Sequence, residues 1–74
     1  MPKLISVKPK RLAAILVFLG FETRDAEGSH VFFKHPDGRT TVISMHNREM
    51  SKGLLRKVLN DIRLSVDEYE KLRK

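Results

Sequence analysis

Residues 29–44 read SHVFFKHPDGRTTVIS, and this stretch decides the fold. Two runs that are rich in β-branched and aromatic residues, 29–35 and 40–44, predict two strands. The link Pro36-Asp37-Gly38 predicts a tight turn, because proline presets φ for a type I turn and glycine accepts the left-handed conformation after it. The stretch therefore predicts an antiparallel β-hairpin.

A helix and one more strand are predicted on the N-terminal side of this hairpin. Pro9 suits a first helical turn, and apolar residues from Leu12 to Leu19 recur at the spacing of a buried helix face before Gly20. We expect a helix over residues 8–19. Residues 21–24 predict a short strand that joins the sheet.

Two helices are predicted on the C-terminal side. Residues 52–63 place Leu55, Val58, Leu59 and Ile62 on one face, with Ser51 as the cap, and the Ser65–Glu68 pattern predicts a capping box that opens a short third helix. The two apolar helix faces must pack on the same face of the sheet. We therefore expect residues 1–74 to form one α+β domain of the double-stranded-RNA-binding type: α-β-β-β-α with a short C-terminal helix and a three-stranded antiparallel sheet.

The composition favours a nucleic-acid partner. The chain has 15 Lys and Arg against 9 Asp and Glu, a formal net charge of +6 and a pI near 10.1, and such a bias attracts polyanions. It has no cysteine, which excludes disulfides and thiolate zinc sites and fits a cytoplasmic setting. The apolar run over residues 12–21 is too short to span a bilayer.

Histidines are the residues that could carry acid–base chemistry. His30 and His35 differ by an odd number along one predicted strand, so their side chains should leave opposite faces of the sheet and not share an ion. We expect no metal and no cofactor. The tripeptide Gly28-Ser29-His30 places an imidazole at the start of a strand, after a glycine that allows close approach to a phosphate. His46 lies just before the second predicted helix, near a helix N-terminus that attracts phosphate.

The chain resembles the HicA (YcfA-like) toxin family from the first helix through to the tail. Residues 16–21, Gly28-Ser29-His30, residues 35–39 and residues 46–64 carry the resemblance by their order and spacing. Arg63 stands where the family frequently has glycine.

This resemblance implies a double-stranded-RNA-binding-like fold, a toxin that cleaves mRNA, neutralisation by a HicB-type antitoxin, and a catalytic role for His30. RNA carries its own nucleophile, so His30 can act as the base that deprotonates the 2′-OH without a metal. His46 is a candidate for the acid that protonates the leaving group. The residues that we expect to contact RNA are Gly28, Ser29, Lys34, His46, Lys52 and Arg56.

Two other functions fit the same sequence. The fold and charge could hold RNA without cutting it, or exposed apolar sheet residues could serve only a protein partner. Val31, Phe32 and Phe33 cannot all face one core, so Phe32 or Ile43 is expected to anchor an antitoxin. DNA binding is not favoured, since the second predicted helix lacks a base-reading series of Asn, Gln and Arg.

Overall fold

The computed structural model describes residues 4–46 and 48–73. It confirms the predicted α+β fold, with three helices and three strands in the expected order. The elements are α1 (Pro9–Phe18), β1 (Glu22–Glu27), β2 (His30–Lys34), β3 (Thr40–Ser44), α2 (Lys52–Asp61) and α3 (Val66–Arg73). The strands form one antiparallel sheet in the order β1-β2-β3.

Most element bounds agree with the predicted ones within two residues, but β1 is longer than predicted. It continues to Glu27 because it pairs along the whole of β2, from Glu22 opposite Lys34 to Glu27 opposite His30. A β-bulge between Thr23 and Ala26 interrupts this register. Alternation of apolar and polar residues fails at the bulge, so the sequence pattern of β1 stops early.

The sheet has one face covered by the helices and one open face in the part of the chain that the structure describes. Phe33 and Ile43 point into the core with 2% and 0% exposure, whereas His30, Phe32 and Lys34 alternate with them and lie on the open face. The helices cover the first face, because the buried set draws on all three of them. Its members include Leu12, Ile15, Leu16, Leu55, Val58, Leu59, Ile62 and Tyr69.

Both sheet turns depend on a glycine with positive φ. In the β2–β3 turn the Gly38 amide donates to the His35 carbonyl at 2.9 Å and φ of Gly38 is 101°, so the predicted type I turn with a left-handed glycine is confirmed. In the β1–β2 turn, the two central residues are Gly28, with φ of 61°, and Ser29. A positive φ at the first central residue is typical of a type II′ hairpin turn. Turn geometry alone therefore accounts for Gly28.

The His35 side chain contacts both the C-terminal end of α1 and the β2–β3 turn. Its Nε2 lies 3.1 Å from the Leu19 carbonyl oxygen, its Nδ1 accepts from the Asp37 amide at 3.1 Å, and its ring meets the Phe21 ring edge-on at 5.0 Å. The Arg39 guanidinium lies over the Phe21 ring, 5.1 Å from its centroid, and donates to the Ile62 carbonyl at the end of α2. The motif at residues 35–39 is thus structural.

The ends of α1 and α2 have the same backbone geometry but different residues. Gly20, with φ of 100°, follows α1, and the Phe21 amide donates back to the Leu16 carbonyl at 2.9 Å. Arg63, with φ of 56°, follows α2, and the Leu64 amide donates to the Leu59 carbonyl at 3.0 Å. Both are Schellman motifs. Arg63 therefore adopts a left-handed conformation that favours glycine.

The predicted capping box of α3 is confirmed. The Glu68 amide donates to the Ser65 hydroxyl at 3.1 Å, and the Ser65 amide donates back to the Glu68 carboxylate at 3.3 Å. Tyr69 is buried and donates its hydroxyl to the Ile5 carbonyl at 2.6 Å. No helix within residues 4–46 and 48–73 has the length and hydrophobicity needed to cross a membrane.

Candidate functional site

His30 is the first residue of β2 and its side chain is exposed on the open face of the sheet. Its cross-strand neighbours are Glu27 on β1 and Ser44 on β3. Directly opposed residues of an antiparallel pair have Cβ atoms about 4.5–5.5 Å apart. The imidazole therefore stands between a carboxylate and a hydroxyl, with the Gly28-Ser29 turn at its side.

His46 is brought to the same end of the sheet as His30. The Met45 amide donates to the Ser29 carbonyl at 2.7 Å, which extends the β2–β3 pairing past the end of β3. The chain then bends, since the His46 amide donates to the Ser44 carbonyl at 3.0 Å. Two exposed imidazoles thus lie at one end of the sheet.

A cavity of about 580 Å³ lies beside His46, where α2 begins; we call it the helix-end cavity. The Ser51 hydroxyl caps α2 by accepting from the Leu54 amide at 3.2 Å, as predicted. His46 also lines a smaller depression, together with Lys8 and Lys10. This end of the molecule is basic. The helix-end cavity is lined by Pro9, Ser44, His46, Arg48, Glu49, Met50, Ser51 and Leu54.

A second cavity, of about 520 Å³, lies along β3, where residues of the open face meet Lys57 and Asp61 of α2; we call it the sheet-face cavity. Val42, which lines it, and Ser44, which lines the helix-end cavity, are two residues apart on β3. His30 is opposite Ser44, so it lies at the end of the sheet next to the helix-end cavity, although it lines neither cavity. The sheet-face cavity is lined by Arg24, Phe32, Phe33, Lys34, Thr40, Thr41, Val42, Lys57 and Asp61.

The predicted RNA-contacting residues fall into three places. Gly28 and Ser29 form the turn just before His30, and His46 lies at the same end of the sheet. Lys34 is four residues further along β2, about 13 Å away, in the sheet-face cavity. Lys52 is the first residue of α2, next to Ser51, whereas Arg56 is exposed one turn further on and lines neither cavity.

The two histidines of the hairpin lie on opposite sides of the sheet, as predicted. His30 is on the open face, and His35 packs against Phe21 towards the helices. Within residues 4–46 and 48–73, no group of three or more His, Asp or Glu side chains is placed to hold a metal ion.

One of the two predicted antitoxin anchors is wrong. Ile43 has 0% exposure because it faces α1 and α2, so it cannot contact a partner. Phe32 is 38% exposed on the open face.

The sequence interpretation missed Glu27. Its position opposite His30 follows from a two-residue turn at Gly28-Ser29, and that turn was not recognised because β1 was ended at Arg24.

Comparison with known proteins agrees with this architecture. The family model for the HicA toxin of bacterial toxin–antitoxin systems matches residues 9–64, a span that contains α1, the whole sheet and α2 but not α3. No curated protein matches the chain. The match includes His30, His46 and the residues of the β1–β2 turn between Glu27 and His30. Because it covers most of the chain, this protein belongs to the HicA toxin family, and it is a toxin with an antitoxin partner.

Proposed function

We propose that this toxin is a metal-independent endoribonuclease that cleaves mRNA in the cytoplasm, with His30 as the catalytic base. The observation that carries the proposal is the position of His30. Its exposed imidazole lies on the open face of the sheet, opposite Ser44 of the helix-end cavity and two residues along β2 from Phe32 of the sheet-face cavity. A nucleic-acid strand that is attracted by this basic chain and lies along the open face passes over the imidazole.

The proposed reaction uses the 2′-OH of RNA as the nucleophile. His30 takes the proton of the 2′-OH, the 2′-oxygen forms a bond to the adjacent phosphorus, and the bond from phosphorus to the 5′-oxygen breaks. An acid protonates the departing 5′-oxygen, and His46 is our candidate for that acid. The products are a 2′,3′-cyclic phosphate and a 5′-hydroxyl. Cationic groups offset the charge that builds up on the phosphorane.

Glu27 is proposed as a positioning residue for His30. A carboxylate opposite an imidazole can accept its second N–H and thereby fix the tautomer that exposes the basic nitrogen to the substrate. The two side chains make no hydrogen bond to each other among the described contacts, and such bonds are often formed only in the substrate complex.

We propose that the six residues predicted from the sequence to contact RNA do so at this site. His46 and Lys52 lie at the N-terminal end of α2, and Lys34 lies in the sheet-face cavity. The Gly28-Ser29 turn presents backbone beside His30. Arg56 is exposed beyond these cavities and would contact a more distant phosphate. The full set is Gly28, Ser29, Lys34, His46, Lys52 and Arg56.

We further propose that a HicB-type antitoxin inhibits the toxin by covering the open face of the sheet around His30. Opposite charge would speed the encounter with this basic chain. Phe32, which is 38% exposed on that face, would lie under the antitoxin, but the apolar surface around it is too small to be the whole anchor.

The test is to incubate the purified protein with an unstructured RNA in excess EDTA and to identify the product ends. We expect cleavage in EDTA and 2′,3′-cyclic phosphate ends. The same RNA with a 2′-deoxy or 2′-O-methyl group at the cleaved nucleotide is the matched control, and it should stay intact. Loss of cleavage in EDTA that Mg²⁺ or Mn²⁺ restores contradicts the mechanism, as do 5′-phosphate products.

A non-catalytic RNA-binding module is the second candidate. It is favoured by the absence of a hydrogen bond to the His30 imidazole within the described residues, since a surface histidine without an orienting partner needs no catalytic explanation. Under this alternative the protein retains RNA in a salt-dependent manner and never shortens it.

A further inference from the structure

The sheet-face cavity contains an aromatic side chain with a basic rim. Phe32 is 38% exposed at its floor, although a phenylalanine on a strand is usually packed in a core. Its cross-strand partner Val42 supplies one more apolar surface. Arg24, Lys34 and Lys57 line the same cavity with a single acid, Asp61, which pairs with Lys57 at 3.1 Å.

This combination fits an unpaired nucleobase better than a protein. The apolar floor consists of Phe32 and Val42, and the surrounding open-face positions on β2 and β3 are polar: His30, Lys34, Thr40 and Ser44. A protein partner needs a broader apolar centre to exclude water. A nucleobase needs one flat ring to stack on and nearby cations for its phosphates.

The position of Phe32 relative to His30 agrees with this occupant. The two residues are two apart on β2 and on the same face, which places them about 7 Å apart along the strand. A base stacked on Phe32 would therefore set the neighbouring phosphodiester over the imidazole.

We propose that Phe32 is a stacking platform that binds an unpaired base of single-stranded RNA next to the scissile phosphate. The inference rests on the proposed function, since it names the substrate class of that site: single-stranded rather than duplex RNA. Bases in a duplex keep their faces stacked on one another and cannot lie on Phe32.

The experiment measures binding in the His30→Ala background, so that cleavage does not interfere. The probe is a short unstructured RNA that carries 2-aminopurine, whose fluorescence is quenched when the base stacks. We expect Phe32→Leu to weaken single-strand affinity by roughly 5- to 150-fold at fixed salt, and to abolish the quenching. Phe32→Tyr retains a ring and should bind within about twofold of the parent, since stacking needs only the π-face.

Phe18→Leu is the matched control. Phe18 is 76% exposed on α1, outside both cavities, so the same substitution there should leave RNA affinity unchanged. Thermal melting of all variants shows whether the fold is retained, and Phe32→Tyr tests the ring even if Phe32→Leu does not fold.

The outcomes separate this inference from the proposed function. Equal single-strand affinity of Phe32→Leu and the parent overturns the platform, even if the wild type cuts RNA. Loss of antitoxin binding with unchanged RNA affinity also overturns it and assigns Phe32 to protein docking. Ring-dependent binding by a protein that never cuts RNA supports the platform and refutes the nuclease.

Discussion

Replacing Arg63 by glycine should stabilise the protein. Arg63 has φ of 56° in the Schellman motif that ends α2, and its exposed side chain makes no contact that the fold needs among those described. A left-handed conformation costs a non-glycine residue about 1–2 kcal/mol. Glycine avoids this cost but gains about 0.5–1 kcal/mol of unfolded-state entropy.

The midpoints of these two ranges differ by about 0.75 kcal/mol, so Arg63→Gly should raise the free energy of unfolding by roughly that amount. In a domain of this size that corresponds to a melting temperature about 3–6 °C higher. Urea denaturation and calorimetry measure the two quantities. Cleavage should stay at the wild-type rate, because Arg63 belongs to neither cavity.

Arg63→Ala is the control, because alanine removes the charge but keeps the Cβ atom. It should lie within about 0.5 kcal/mol of the wild type. If alanine stabilises as much as glycine, the gain comes from charge and the backbone argument is wrong. An unchanged or lower stability of Arg63→Gly also refutes it.

Three further substitutions test the turns and the surroundings of His30. His35→Ala should lower the free energy of unfolding by about 1–3 kcal/mol in urea denaturation, because the Leu19 carbonyl loses its partner; wild-type stability would contradict this. Gly20→Ala should cost more stability than Gly28→Ala, because a Cβ at Gly20 lies 3.1 Å from His35 Nε2 whereas one at Gly28 meets nothing within 4 Å, and equal melting temperatures would refute that ranking. Glu27→Gln should slow RNA cleavage at least about tenfold without weakening RNA binding, whereas a faster enzyme would show that Glu27 acts only by repelling phosphate.

Much of the fold could be predicted from periodicity and turn chemistry. The heptad-like spacing in α1 and α2 and the Pro36-Asp37-Gly38 turn each depend on local sequence, and the structure has them where predicted. The end of β1 was missed because its β-bulge breaks the alternation. The burial of Ile43 was missed for a different reason, since the face of a strand that meets the helices depends on register and not on hydrophobicity.

Less of the candidate site than of the fold could be predicted from the sequence. His30 stands out in the sequence because its tripeptide is local, and the structure leaves its side chain exposed. Glu27 and Phe32 acquire their significance only through pairing, Glu27 from its position opposite His30 and Phe32 from the side of the sheet that it shares with His30. Which residues lie opposite each other in a sheet depends on the strand register. The spacing of residues in the sequence does not give that register when a turn between the strands is not recognised.

The cleavage rate of His30→Ala tests the central claim most directly. The measurement is a single-turnover rate on a defined RNA in EDTA, beside RNA affinity, melting temperature and the variants His35→Ala and His46→Ala. We predict a rate about 10²- to 10⁴-fold lower for His30→Ala. Affinity and melting should be almost unchanged, because the exposed imidazole contributes little to either the phosphate contacts or the core. Cleavage by His30→Ala at the wild-type rate would contradict the catalytic assignment.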